Sequence, residues 1–203
     1  MTETRGERKE RTRRAILDAA LELTRDQSLV ALSLRQVAKE VGIVPTAFYR
    51  HFESIDALGL ALVEESFASL RAMLRDVRRG SPTDIVDHSV RVLADHVRAH
   101  RGHFGFIARE RVAGPRAVRE AIGHELELIE RELATDLARL PGTDAWSADD
   151  LRTLAALLVG TLVTTAEALL SATRPEQEDE VLATARTQLR MVIVGVAQWR
   201  SAP

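Results

Sequence analysis

Apolar residues recur along this chain at helical spacing. Ile16, Leu17, Ala20 and Leu23 predict an inward face for a first helix over residues 8–26. Leu34, Val37, Ala38 and Val41 fall at i, i+3, i+4 and i+7 and predict a short helix over 33–41. Phe48 and Phe52, four apart, mark another over 45–51. Longer periodic segments predict helices over 54–79, 83–100, 103–112, 116–139, 148–172 and 176–199. Breaks fall at Gly80-Ser81-Pro82, Gly114-Pro115, the LPGTDAWS stretch 140–147 and Arg174-Pro175. No alternating strand pattern and no repeat interrupts the series. The expected fold is all-α, with nine helices.

The segment Ser33–Phe52 carries the densest local signals. Ser33 precedes the apolar face and Gln36 stands three residues on, the arrangement of a capping box. Gly42 supplies a turn, because a left-handed backbone is nearly free only for glycine. Pro45 suits the first turn of the next helix. On that helix Thr46, Tyr49 and Arg50 form a stripe separate from Phe48 and Phe52. A hydroxyl, a phenol and a guanidinium on one exposed face suit a phosphate-lined groove. Ser54 then caps the long helix that follows, with Asp56 in its first turn.

Charge divides the chain unevenly. Residues 1–52 hold ten Lys/Arg against seven Asp/Glu, and residues 53–203 hold eighteen against twenty-three. A basic head on an acidic body fits a molecule that touches a polyanion at one end. The chain has no cysteine, which removes disulfides and thiolate metal or redox sites and fits a cytoplasmic protein. The charged opening MTETRGERKERTRR lacks the apolar core of a signal peptide. The longest apolar run, Thr153 to Ala166, has fourteen residues, short of the about 20 needed to span a bilayer, and reads as a buried helix.

With RRAILDAALEL, the turn-bearing GIVPTAFYRHF and the start of the fourth helix, the chain resembles the TetR family of bacterial transcriptional regulators. Ile55 before Asp56, the segment FGFIARERVAG and the C-terminal QLRMVIVGVAQWR resemble its fatty-acid-responsive FabR/DesT branch. The resemblance implies a DNA-binding domain over 1–53, with its helix-turn-helix at 33–52, and a ligand-binding and dimerisation domain over 54–203. It implies a ligand-responsive regulator, a repressor and not an enzyme, that binds a palindromic operator in double-stranded DNA as a homodimer. Pro45 and Thr46 are expected near base edges, Tyr49, Arg50 and His51 against phosphates, and Ser33 and Arg35 at a further phosphate. Arg5, Arg8, Lys9, Arg11, Arg13 and Arg14 form a basic arm that adds phosphate or minor-groove contacts. The small and apolar residues of TLAALLVGTLVTTAEALL and MVIVGVAQW supply the dimer surface.

On the effector side, Phe67, Leu70, Leu93, Val97, Phe104, Ile107, Leu126 and Ile129 are candidates to line an apolar cavity. Met73 and Phe106 have the same character, and each residue has simple packing as its alternative reading. The branch resemblance implies an acyl-CoA effector, with Arg109 at its head group. A multidrug-sensing repressor of an efflux gene would need a similar cavity, and a ligand-independent architectural DNA binder is a further alternative. His96 and His100, four apart on a helix, have the spacing of a zinc pair, with His88 and His103 nearby. No acidic residue stands in an H-E-x-x-H setting, and no Gly-rich phosphate loop or nucleophile elbow is present. No metal, cofactor or membrane partner is expected.

Overall fold

The computed structural model describes residues 4–80, 84–140, 142–143 and 146–201. Met1 to Glu3 of the charged opening, the Ser81-Pro82 break with the expected helix start at 83, and Pro141, Asp144 and Ala145 of the expected loop lie outside the described residues. Within these limits there are nine α-helices and no strand: α1 (Arg5–Leu23), α2 (Leu34–Val41), α3 (Pro45–Phe48), α4 (Ile55–Arg78), α5 (Ile85–Ala99), α6 (Arg101–Ala113), α7 (Arg116–Leu137), α8 (Ala148–Ser171) and α9 (Pro175–Gln198). A short 3₁₀ turn, Leu29–Ala31, precedes α2.

Three boundaries move by three residues from the sequence reading, each for a local reason. Helix α1 starts at Arg5, because Thr4 and Glu7 form a capping box, with the Thr4 N–H donating to Glu7 at 2.7 Å. The basic arm is therefore helical. At its other end α1 stops at Leu23, where Thr24 caps it. Helix α3 stops at Phe48. Beyond it the backbone tightens, with the Arg50 N–H donating to Ala47 O and the His51 N–H to Phe48 O at 2.8 Å.

The chain forms two compact units, Met1–Ser69 with Gly102–Gly123, and Leu70–Arg101 with His124–Pro203. This division differs from the expected domain boundary at residue 53. Helix α4 starts just past that position, at Ile55, and runs unbroken through the division at Ser69 and Leu70, and α6 with the start of α7 belongs to the first unit.

In the first unit Ile16, Leu17, Leu29, Val37, Phe48 and Leu62 are buried. At Gly59 a Cβ would come within 2.4 Å of Leu29 and 2.8 Å of Val118, so only glycine admits this approach. Glu110 on α6 is fully buried. Its carboxylate accepts from the Leu29 N–H and from the Ser28 hydroxyl, both at 3.0 Å. Two charge-assisted hydrogen bonds offset the cost of burying that charge. They also fix the 3₁₀ turn that feeds α2.

In the second unit α5 packs on α8 and α9, and α8 packs on α9. Leu137, Leu154 and Ala155 form a cluster with Trp146, Val192 and Val196 around it. Helix α8 extends past the fourteen-residue apolar run to 24 residues, long and apolar enough to cross a membrane by length and composition alone. It opens on Asp149, Asp150 and Arg152, and buries Leu154, Ala155, Val159, Ala166 and Leu169 inside its own unit while Leu157 stays exposed, so it is partly buried rather than the buried helix expected.

Candidate nucleic-acid interface

The predicted turn chemistry is present in full. The Ser33 N–H donates to Gln36 Oε1 at 2.8 Å, and the Gln36 N–H donates to Ser33 Oγ at 3.2 Å. Gly42 adopts φ 73° and ends α2, while the Ile43 N–H donates back to Ala38 O at 2.9 Å. Pro45 opens α3. Phe48 and Phe52 are buried with rings 5.9 Å apart, and they seat α3 in the first unit. That seating turns the opposite side outward. Val44, Pro45, Thr46, Tyr49 and Arg50 are all exposed, Tyr49 at 60%. Ser33 and Arg35 are exposed at the start of α2, with the Ser33 N–H already taken by Gln36.

His51 is set apart from its neighbours. It is half-buried, and its Nδ1 is buried with no hydrogen-bond partner. Burial first, then the charges of Lys9 and Arg13, hold its pKa below the ordinary histidine range; Arg50 acts in the same direction and Glu10 against it. The ring is therefore largely neutral at neutral pH. It is a hydrogen-bonding group here rather than a cation.

The arm splits by role. Arg14 pairs with Asp18 at 3.0 Å and with Glu65 on α4, so it braces α1 within the unit. The Arg13 guanidinium lies over the Phe52 ring, 5.0 Å from its centroid. Sequence reasoning did not connect Lys9 and Arg13 with the end of the motif. They are a helical turn apart on α1, but nothing local says which way that face turns.

The effector candidates fare differently. Phe67, Phe104 and Ile107 lie buried in the first unit, and Leu70, Leu93, Val97 and Ile129 are buried in the second, where Leu126 is half-buried. Their burial fits a packed core and the lining of a cavity alike. Arg109 has partners in the backbone. Its guanidinium donates to the Thr24 and Arg25 carbonyls, at the end of α1 where backbone oxygens lack helical partners. A groove of about 480 Å³ lies along α8 and α9, lined by Thr164, Ala168, Gln177, Val181, Thr184 and Gln188, and includes none of the effector candidates.

The histidines of α5 take structural partners. His96 Nε2 lies 3.0 Å from Asp76 Oδ2, and that hydrogen bond leads the causes that lower the Asp76 pKa. His88 Nε2 lies 3.0 Å from the Asp76 backbone oxygen. The His96 and His100 rings are 5.9 Å apart. Among the described residues no group of three or more His, Asp or Glu is placed to hold a metal ion.

This buried-face, exposed-stripe geometry is that of a helix-turn-helix reader of DNA. Residues 16–62 match the family described as bacterial regulatory proteins, tetR family, and residues 82–195 match the tetracyclin repressor-like C-terminal domain. The chain belongs to the TetR family of bacterial transcriptional regulators. Solved structures share its fold at low identity. A transcriptional regulator from Rhodococcus sp. RHA1 is 20% identical, with TM-score 0.72 over 94% of this chain and 99% of that one. One from Pseudomonas aeruginosa PAO1 is 16% identical, with TM-score 0.71 over 93% of each chain. One from Aquifex aeolicus VF5 is 16% identical, with TM-score 0.67 over 89% of this chain and 99% of that one. At these identities the likeness concerns the fold.

Proposed function

We propose that this protein is a dimeric, effector-controlled repressor that grips DNA phosphates with Tyr49 and Arg50 and reads base edges with Thr46. The observation that carries this reading is the exposed stripe Thr46, Tyr49 and Arg50, held outward by the buried Phe48–Phe52 pair. Val44 and Pro45 offer apolar contact, for example to a thymine methyl. Ser33 and Arg35 meet a second phosphate through the serine hydroxyl and the guanidinium. His51 joins the phosphate contacts through its imidazole. Residues 1–53 do the reading, and residues 54–203 carry dimerisation and effector response.

Dimerisation is supported by what α8 and α9 leave uncovered. Leu157, Met191, Ile193 and Val194 are between 47% and 69% exposed in the single chain. A short recognition helix reaches few base pairs, so two copies at matched spacing are needed for specificity. The effector is a small apolar molecule accommodated among the core residues of the second unit, around Leu93, Val97 and Ile129. An acyl-CoA effector keeps its apolar chain in this reading but loses Arg109 as its head-group partner.

The test is gel-shift titration of the DNA upstream of the protein's own gene. Tyr49→Ala with Arg50→Ala is expected to abolish the shift while leaving the helical circular dichroism and thermal transition intact. Unchanged binding by the double variant would overturn the role assignment.

A further inference from the structure

Helix α1 brings a second set of cations to the end of the helix-turn-helix. Lys9 and Arg13 are four residues apart and so share a face of α1. Arg13 is fixed there by its contact with the Phe52 ring, next in sequence to His51. Arg50 is the residue next to His51 in the chain. The charged groups that act on the imidazole are thus Lys9, Glu10 and Arg13 from α1 and Arg50 from its own segment, three cations against one carboxylate. Three like charges around a half-buried ring are costly to hold together without an anion.

We propose that Lys9, Arg13 and Arg50 form one cradle around His51 for a single DNA backbone phosphate, and that His51 takes up a proton when the phosphate occupies it. The inference rests on the DNA-binding reading above. Its physical content is a linkage. Without DNA, burial and the neighbouring cations both keep the imidazole neutral. A phosphate cancels the second influence and leaves the first. The charged imidazole is then more favourable in the complex than in the free protein, so binding must consume protons wherever the two states differ in occupancy. The proton adds to Nδ1 or Nε2 of the imidazole and comes from solvent. The result is an operator grip that tightens as pH falls.

The experiment uses the full chain and a random-sequence duplex of about 30 base pairs, since phosphate contacts are sequence-independent. Calorimetric titration near pH 6.5 in buffers of different ionisation enthalpy measures protons taken up per chain. Affinity is measured by fluorescence anisotropy between pH 7.5 and 5.5. The expected result is net uptake by the wild type and an affinity gain of about fivefold over that range, within the tenfold per pH unit that one proton allows. His51→Asn should remove both. Lys9→Gln with Arg13→Gln should lower the slope of log affinity against log salt by about one, the value for one shared phosphate. The His51 imidazole resonances of the wild type, titrated with and without DNA, give the same answer without any variant. Binding with no proton uptake, or uptake unchanged in a folded His51→Asn protein, overturns the cradle and leaves the DNA reading standing. Failure of the wild type to bind the duplex at low salt overturns both.

Discussion

The helix-turn-helix and the α8–α9 pair both expose apolar side chains, but they are held in different ways. In the first, Val44 and Tyr49 stand out from an element positioned by its immediate neighbours: a capping box at Ser33 and Gln36, a left-handed Gly42, Pro45 at the start of α3. In the second, Leu157, Met191 and Val194 stand out from two 24-residue helices positioned by contacts with each other and with α5. A surface built on local rules can present side chains to a rigid ligand with little outside help. A surface built on long-range packing presents an area whose occupant must supply the missing apolar partner. The first suits DNA, and the second suits another copy of the same chain.

The sharpest way to break this comparison is to put charge into the larger surface. Leu157→Glu with Val194→Glu should give a folded monomer by sedimentation or light scattering. Its DNA affinity should fall by about a hundredfold or more, because one chain engages one half-site. A dimer that survives both carboxylates would show that these residues lie outside the contact. The same substitutions should leave the helix-turn-helix untouched, since none of its caps depends on α8 or α9.

Next in size is a buried long-range contact of the first unit. Glu110→Ala leaves the Leu29 N–H and the Ser28 hydroxyl without their buried acceptor. The expected cost is about 3 kcal/mol, a fall of about 6–12 °C in the thermal midpoint. Glu110→Gln keeps one acceptor oxygen and should lose clearly less. Denaturation followed by circular dichroism distinguishes the two. A smaller cost is expected for Ser33→Ala, about 1 kcal/mol, because it removes one side of a local capping box at an exposed helix end. The ordering matters: a buried long-range acceptor outweighs a surface cap, although the cap is what orients Arg35 at the start of α2.

These magnitudes follow the line between what was legible in the sequence and what was not. The capping box, the Gly42 turn, the Pro45 start and the Phe48–Phe52 face are relations between residues no more than a turn or two apart, and the sequence shows them directly. Glu110 and Ser28 are 82 positions apart, so no spacing rule pairs them. Arg109 followed the same logic in reverse. An arginine amid apolar residues reads as a ligand contact until the end of α1 is seen to occupy it. The apolar set from Phe67 to Ile129 was legible as buried, but burial alone does not separate a packed core from a lined cavity. The basic arm was legible as charge, while its division into the bracing Arg14 and the Phe52-stacked Arg13 depends on how α1 is rotated.

The smallest effect belongs to the second unit's own terminal clasp, where a local and a long-range element meet. Ser147 caps α8 by accepting from the Asp150 N–H at 3.1 Å. The chain then returns to the same place, with the Ser147 N–H donating to Ser201 Oγ at 2.8 Å and the Ser201 hydroxyl donating to Asp150 Oδ2 at 2.5 Å. The Ser201 bond, followed by one from Trp199, lowers the Asp150 pKa below the ordinary carboxylate range. A carboxyl whose folded pKa is depressed adds stability above its unfolded pKa and loses it as pH falls through the folded value. The clasp should therefore be insensitive to pH through the neutral range and open only below about pH 4, the ordinary aspartate value. The two tryptophans of the chain report it, since the Trp146 and Trp199 rings lie 6.2 Å apart beside Asp150. Ser201→Ala should move the acid transition in tryptophan fluorescence to higher pH, toward that ordinary value, with little change in the thermal midpoint at pH 7. An acid transition that stays in place would mean that the helix cap at Ser147, and not the returning chain, sets the Asp150 proton affinity.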